Sequence, residues 1–88
     1  MKWTLSFDSK ATKQFMKLGA TAQKIIQRYL ENNVLTASDP RTLGKALMHD
    51  KKGIWRYRVD KYRILCRLDN GTLVVLVLEV GKRDKIYD

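Results

Sequence analysis

The sequence predicts an α+β domain of order β-α-α-β-β-β, a two-helix hairpin packed on one face of a largely antiparallel four-stranded sheet. Three observations carry that prediction. Residues 2–7 alternate strictly between polar and apolar, the period of a half-buried strand. Two stretches over residues 9–30 repeat apolar residues at helical spacing, as amphipathic helices do. From residue 54 onward three strand-like runs are separated by short turn sequences.

Each element has its own reading. In the first strand Trp3, Leu5 and Phe7 share the buried side. Asp8 or Ser9 is expected to cap the first helix, because a short side-chain acceptor satisfies its free N–H groups. Ala11, Phe15 and Leu18 form its core stripe, Lys10, Lys13 and Lys17 its solvated side, and Gly19 its end. Thr21 is the expected cap of the second helix, whose stripe is Ala22, Ile25, Ile26, Tyr29 and Leu30. Residues 36–53 lose periodicity around Asp39-Pro40 and two glycines, Gly44 and Gly53, predicting a surface connection with one helical turn around Leu43 to Met48. The last three strands are Ile54–Val59, Tyr62–Leu68 and Thr72–Val80. Asp60-Lys61 reads as a two-residue turn. Asn70-Gly71 reads as a type I′ hairpin, because both residues tolerate positive φ.

All 88 residues read as a single domain, since the chain is long enough for one core and shows no repeat or linker. Eighteen Lys and Arg against nine Asp and Glu give a net charge of +9. The excess divides as +4 over residues 1–44 and +5 over residues 45–88, so no removable tail holds it. A compact domain is destabilised by such self-repulsion, and a polyanionic partner explains why the charge is kept. Cys66 is the only cysteine, which excludes an internal disulfide and a cysteine-based metal site; it reads as a small core residue. The longest apolar run, Leu73 to Leu78, is of strand size, and no signal-peptide core precedes Asp8. A cytoplasmic protein without membrane association, metal or cofactor is expected.

Strand parity turns the C-terminal half into a statement about function. Trp55, Tyr57 and Val59 fall on one face and Ile54, Arg56 and Arg58 on the other. With a two-residue turn at Asp60-Lys61, Val59 pairs with Tyr62 and Arg58 with Arg63. Extending a two-residue Asn70-Gly71 turn places Leu65 beside Leu76 and Arg63 beside Leu78. Arg56, Arg58, Arg63 and Arg67 then project away from the helices over a floor of Leu65, Val74, Leu76 and Leu78. Two arginines directly opposed on a sheet cost about 0.2–1 kcal/mol. One reading is a solvated face whose arginines lie flat on that floor. The other is a phosphate-binding face, which bidentate guanidinium geometry suits. The ending Lys82-Arg83-Asp84-Lys85-Ile86-Tyr87 adds three basic groups and a tyrosine that a loop returns toward this face.

The chain resembles a RelE-type toxin of the RelE/ParE superfamily, the toxic half of bacterial toxin–antitoxin pairs. The residues that carry the resemblance are Asp39-Pro40-Arg41 with Gly44-Lys45-Ala46-Leu47, then Gly53-Ile54-Trp55-Arg56-Tyr57-Arg58-Val59 and Tyr62-Arg63-Ile64. Val80-Gly81-Lys82-Arg83 with Ile86-Tyr87 completes it. The resemblance implies a ribosome-dependent endoribonuclease that cuts mRNA in the decoding site by attack of a ribose 2′-OH on the adjacent phosphodiester. Its implied partners are the ribosome, mRNA and a cognate antitoxin that inhibits it within a toxin–antitoxin hetero-oligomer.

By the same resemblance the catalytic set is Arg56, Arg58, Arg63, Arg83 and Tyr87. Arg56 and Arg63 stabilise charge, Arg83 is the acid, and Tyr87 orients or stacks on a base. Lys52, Lys61, Arg67, Lys82 and Lys85 are the further candidates for RNA binding. Some members carry lysine at the position of Arg58, and its amine is proposed there as the base. A guanidinium with a pKa above about 12 is a poor base, which leaves Lys52, Lys61, Lys82 or Tyr87 for that role. Many members have histidine where this chain has Lys82, and His49 reads as an exposed loop residue. The fold is shared with ParE-like toxins that inhibit DNA gyrase without nuclease chemistry, which is the alternative function. An inactive RNA-binding relative is a third.

Overall fold

The fold was analysed in a computed structural model, which describes residues 3–47, 53–69 and 71–82. The elements are β1 (Thr4–Phe7), α1 (Ser9–Lys17), α2 (Ala20–Tyr29), a π-helical continuation (Leu30–Val34), a 3₁₀ turn (Pro40–Leu43), β2 (Lys45–Ala46), β3 (Ile54–Val59), β4 (Tyr62–Asp69) and β5 (Val74–Lys82). They build an α+β fold around a five-stranded mixed sheet of order β1-β5-β4-β3-β2. β1 runs parallel to β5, and the other pairings are antiparallel. The expected four strands are all present. The fifth, β2, is two residues long, too short to show a period. It follows a helical turn that lies at Pro40–Leu43 rather than Leu43 to Met48; Met48 lies outside the described residues.

Local chemistry explains the helix ends. The Asp8 carboxylate accepts the Ala11 amide at 2.9 Å, the N-cap expected of it. Gly19 takes φ +90° between the helices and is itself the N-cap of α2, so Thr21 sits inside the helix instead of capping it. The two helices are tied where they meet by the Gln23 amide, which donates to the Phe15 carbonyl at 3.1 Å. Beyond Tyr29 the helix widens into a π turn, and Ile26, Leu30 and Val34 are all fully buried. Widening offsets the drift of a row spaced at i, i+4, i+8, so all three face the sheet.

The core lies between the helices and one sheet face. Ala11, Ala22, Ile26, Leu30 and Val34 meet Tyr57, Tyr62, Ile64, Cys66, Leu68, Val75, Val77 and Val80, with Trp3 alongside. β1 stops opposite Val77, and β5 runs on past it. There α1 takes over the open edge: the Gln14 side chain accepts the Val80 amide at 2.9 Å, in place of a strand carbonyl.

Tyr57 and Cys66 are buried acids, and burial raises both pKa values above their ordinary 10.0 and 9.0. An unfolded chain loses these protons at lower pH than the folded one, so stability is fully present below pH 9.0 and falls as pH rises beyond it. Melting temperature followed by circular dichroism from pH 7 to 11 is expected to decline from about pH 9. Cys66→Val removes part of that decline.

Candidate functional site

The β3–β4 hairpin sets the site. Its turn is the two-residue Asp60-Lys61 connection, with Asp60 at φ 55°, a conformation aspartate tolerates. Val59 therefore pairs with Tyr62, Arg58 with Arg63, Arg56 with Leu65 and Ile54 with Arg67, as strand parity predicts. Tyr57, Ile64 and Cys66 fill the helix-side core, so the alternate residues Arg56, Arg58, Arg63 and Arg67 share the opposite face. Arg63 is only 9% exposed, Arg56 is half-buried, and Arg58 and Arg67 are exposed.

The β4–β5 register differs from expectation. The Asp69 carboxylate accepts the amides of Gly71 at 2.9 Å and Thr72 at 3.3 Å. A hydrogen bond from the Thr72 hydroxyl, with those amides, holds its carboxyl below the usual range. The connection is thereby a longer turn, and Asp69 pairs with Val74 rather than with Thr72. Asn70 itself lies outside the described residues. A bulge at the Leu65/Cys66 position shifts the register again. Arg63 consequently stands opposite Gly81 instead of Leu78, and Leu65 opposite Glu79 instead of Leu76. Gly81 adds no side chain at the position directly across from Arg63. Glu79, opposite Leu65 on β5, is engaged by Lys10 of α1 at 3.5 Å. Of the expected apolar floor, Leu65 is buried at 3% exposure while Val74 and Leu76 are half-buried.

The other candidates divide. Arg67 is on the arginine face at its far end, opposite Ile54 and Leu76. Lys82 stands opposite Tyr62, and the Lys61 ammonium lies 5.9 Å from the Tyr62 ring centroid. Tyr62 belongs to the helix-side core, so neither lysine joins the arginines. His49, Lys52, Arg83, Lys85 and Tyr87 lie outside the described residues. Among the described residues no cluster of His, Cys, Asp and Glu is built to hold a metal ion, and no helix is long and apolar enough to cross a membrane.

One cation was not anticipated. Lys45 pairs with Arg56 across β2 and β3, and direct opposition puts it on the arginine face. With Leu43, Gly44, Arg56 and Arg58 it lines an open groove of about 320 Å³. The groove's wall is anchored from the core side. The Tyr57 hydroxyl donates to the Pro40 carbonyl at 2.8 Å, Tyr29 packs edge-on at 6.4 Å, and Asp39 caps the 3₁₀ turn through the Arg41 amide at 3.1 Å. Gly44 is forced by close approach: a Cβ there would sit 2.9 Å from the Tyr57 ring and 3.0 Å from the Arg56 carbonyl oxygen. Gly44→Ala is expected to cost about 1–3 kcal/mol, as overpacking against a ring and a backbone does. Urea denaturation monitored by tryptophan fluorescence measures it.

The face thus gathers Lys45, Arg56, Arg58 and Arg63 around paired strands. Opposed like charges gain when an anion lies between them. The sheet fixes the backbone from which these cations project, an arrangement that suits a phosphodiester or the extra charge of its pentavalent transition state.

Residues 2–87 match the family described as the ParE toxin of type II toxin–antitoxin systems. The mRNA interferase toxin RelE of Escherichia coli K12 is 32% identical over 87 residues, covering 97% of this chain and 87% of that protein. A solved E. coli RelE mutant in complex with a RelB antitoxin peptide superposes with a TM-score of 0.73 at 26% identity, over 93% of this chain and 84% of that one. The toxin–antitoxin complex RelBE2 of Mycobacterium tuberculosis gives 0.84 at 24% identity, over 94% of this chain and 100% of the other.

Proposed function

The chain belongs to the ParE toxin family of type II toxin–antitoxin systems as a RelE-type toxin, and from that premise we propose that it is an endoribonuclease that cleaves mRNA on the ribosome. The observation that carries this reading is the Arg58–Arg63 opposition, extended by Arg56 and Lys45 along the same face. A gyrase-binding surface has no evident need for so many fixed phosphate ligands on one sheet face.

The reaction is an internal transesterification. A base takes the proton of a ribose 2′-OH, the 2′-oxygen attacks the adjacent phosphorus, and the bond to the 5′-oxygen breaks as that oxygen receives a proton. The products are a 2′,3′-cyclic phosphate and a free 5′-OH. Arg63 and Arg56 stabilise the charge that accumulates on the phosphoryl oxygens. Arg83 protonates the leaving oxygen, and Tyr87 orients a base, as in the family pattern. The base is not among the face's arginines, whose guanidiniums stay protonated. Lys61 and Lys82 lie with Tyr62, which leaves Lys52 and Tyr87 as candidates for it. The ribosome's part is geometric: it holds the 2′-oxygen in line for attack, and positioning of this kind lowers a barrier without a tuned acid–base pair.

A cognate antitoxin completes the account. The net charge of +9 favours an acidic partner, and a solved relative is bound to an antitoxin peptide. Toxin and antitoxin form a hetero-oligomer in the cytoplasm, where the ribosomes are.

The family match bears the name of the ParE toxin, which favours a second reading, gyrase inhibition by binding. Induced expression without antitoxin separates the two. The nuclease predicts arrested translation and transcripts cut within codons; DNA-damage signalling with intact transcripts would establish gyrase inhibition instead.

A further inference from the structure

The groove between β2 and β3 has a composition that a general anion site does not need. Among the described residues five line it, and three of these are cationic, Lys45, Arg56 and Arg58. The fourth, Leu43, is one of two large apolar side chains conspicuously exposed among the described residues, at 42%. The fifth, Gly44, is held without a side chain by the Tyr57 ring and the Arg56 carbonyl. An exposed leucine beside fixed cations offers an apolar surface within reach of a phosphate ligand. That pairing matches a nucleotide, which has a flat apolar base and an anionic phosphate on one unit.

We propose that this groove is a nucleotide subsite of the RNA-binding face, in which Lys45 and Arg56 hold a phosphate next to the scissile one and Leu43 packs against that nucleotide's base. The assignment rests on the reading of the arginine face as an RNA site and adds the residues that select the RNA. Leu43 is the last residue of the capped 3₁₀ turn, and Lys45 follows on its C-cap, Gly44. The Tyr57–Pro40 hydrogen bond therefore positions both side chains from the core. The apolar contact discriminates among bases by the shape of their faces, and the cations bind every sequence alike. An acidic protein segment would satisfy the cations equally well. A nucleotide differs in carrying its flat apolar base and its phosphate on one compact unit, so that one meets Leu43 while the other meets Lys45 and Arg56.

The test is binding to a single-stranded hexaribonucleotide, which does not depend on cleavage. Isotope-labelled full-length toxin is titrated and followed by NMR, and affinities are read by fluorescence anisotropy. The proposal expects the Leu43 methyls and the amides of Gly44, Lys45 and Arg56 to shift together. Leu43→Ser is expected to weaken binding on the order of tenfold. Lys45→Gln is expected to reduce the slope of log affinity against log salt by about 0.7, one single-strand phosphate contact. Lys24→Gln, the same charge change on the exposed surface of α2, serves as control. If Leu43→Ser and Lys45→Gln bind no worse than that control, the subsite is wrong. Absence of shifts at these residues at millimolar RNA overturns it too, as does a shift produced only by an antitoxin peptide. A wild type that binds RNA through the groove but never cleaves on ribosomes would sink the nuclease reading and leave the subsite standing.

Discussion

Arg63→Ala is expected to lower the rate of mRNA cleavage about 10²–10³-fold, the loss that follows removal of one fixed donor to a charged transition state. Arg63 is the one buried charged residue among those described. It stands in the middle strand of the sheet, between Arg58 on β3 and Gly81 on β5. Its backbone is held by ladders on both sides, and the proposed reaction gives its guanidinium the charge that develops on the phosphoryl oxygens. Truncation also removes buried side-chain volume, and part of any effect is therefore structural. Arg63→Lys separates the two, because it keeps a charge and most of the stem but loses the bidentate fork. Cleavage is expected to fall for Lys as well, with little change in melting temperature. A drop in activity that tracks melting temperature across both variants would instead assign Arg63 to packing.

The second large effect lies one residue along the same strand. Ile64 is fully buried and faces the helices, where Ile64→Ala leaves a cavity that the surrounding sheet and helices cannot close. The expected cost is about 2–5 kcal/mol, a large part of the roughly 5–15 kcal/mol that holds a domain of this size. Equilibrium urea unfolding measures it as a lower midpoint with an unchanged slope. Activity per folded molecule is expected to survive, since Ile64 touches only the core side. Adjacent positions on β4 thus separate stability from function: odd positions 63 to 67 face the cations, and even positions 62 to 68 face the core.

That division was legible in the sequence because it depends only on parity and on one short turn. Asp60 accepts φ 55°, the turn spans two residues, and the Arg58–Arg63 opposition follows. The helix stripes were legible for a similar reason, since Ala11, Ala22, Ile26 and Leu30 are buried as their spacing requires. The β4–β5 register was not. It depends on the Asp69 carboxylate capturing two turn amides and on a bulge near Leu65, and neither leaves a period to read. Lys45 was not legible as a site residue because a two-residue strand has no alternation, and its place is dictated by the anchored 3₁₀ turn before it. Leu43 belongs to a helical turn, as its surroundings suggest, but it ends that turn rather than beginning it, and so stands at the groove's apolar end. Lys61 and Lys82 shared the charge of the site in the sequence, but register and turn geometry set them beside Tyr62. The catalytic roles of Arg83 and Tyr87 were supplied by the family resemblance alone.

Primer-extension mapping of a model mRNA on purified ribosomes tests the central claim most directly, with wild type, Arg63→Ala and Arg83→Ala side by side. Wild type is expected to give discrete stops within codons, only when ribosomes are present, and both variants to lose them. Stops of wild-type strength from both variants, or an uncut mRNA with the wild type, would contradict the assignment of this face to RNA cleavage.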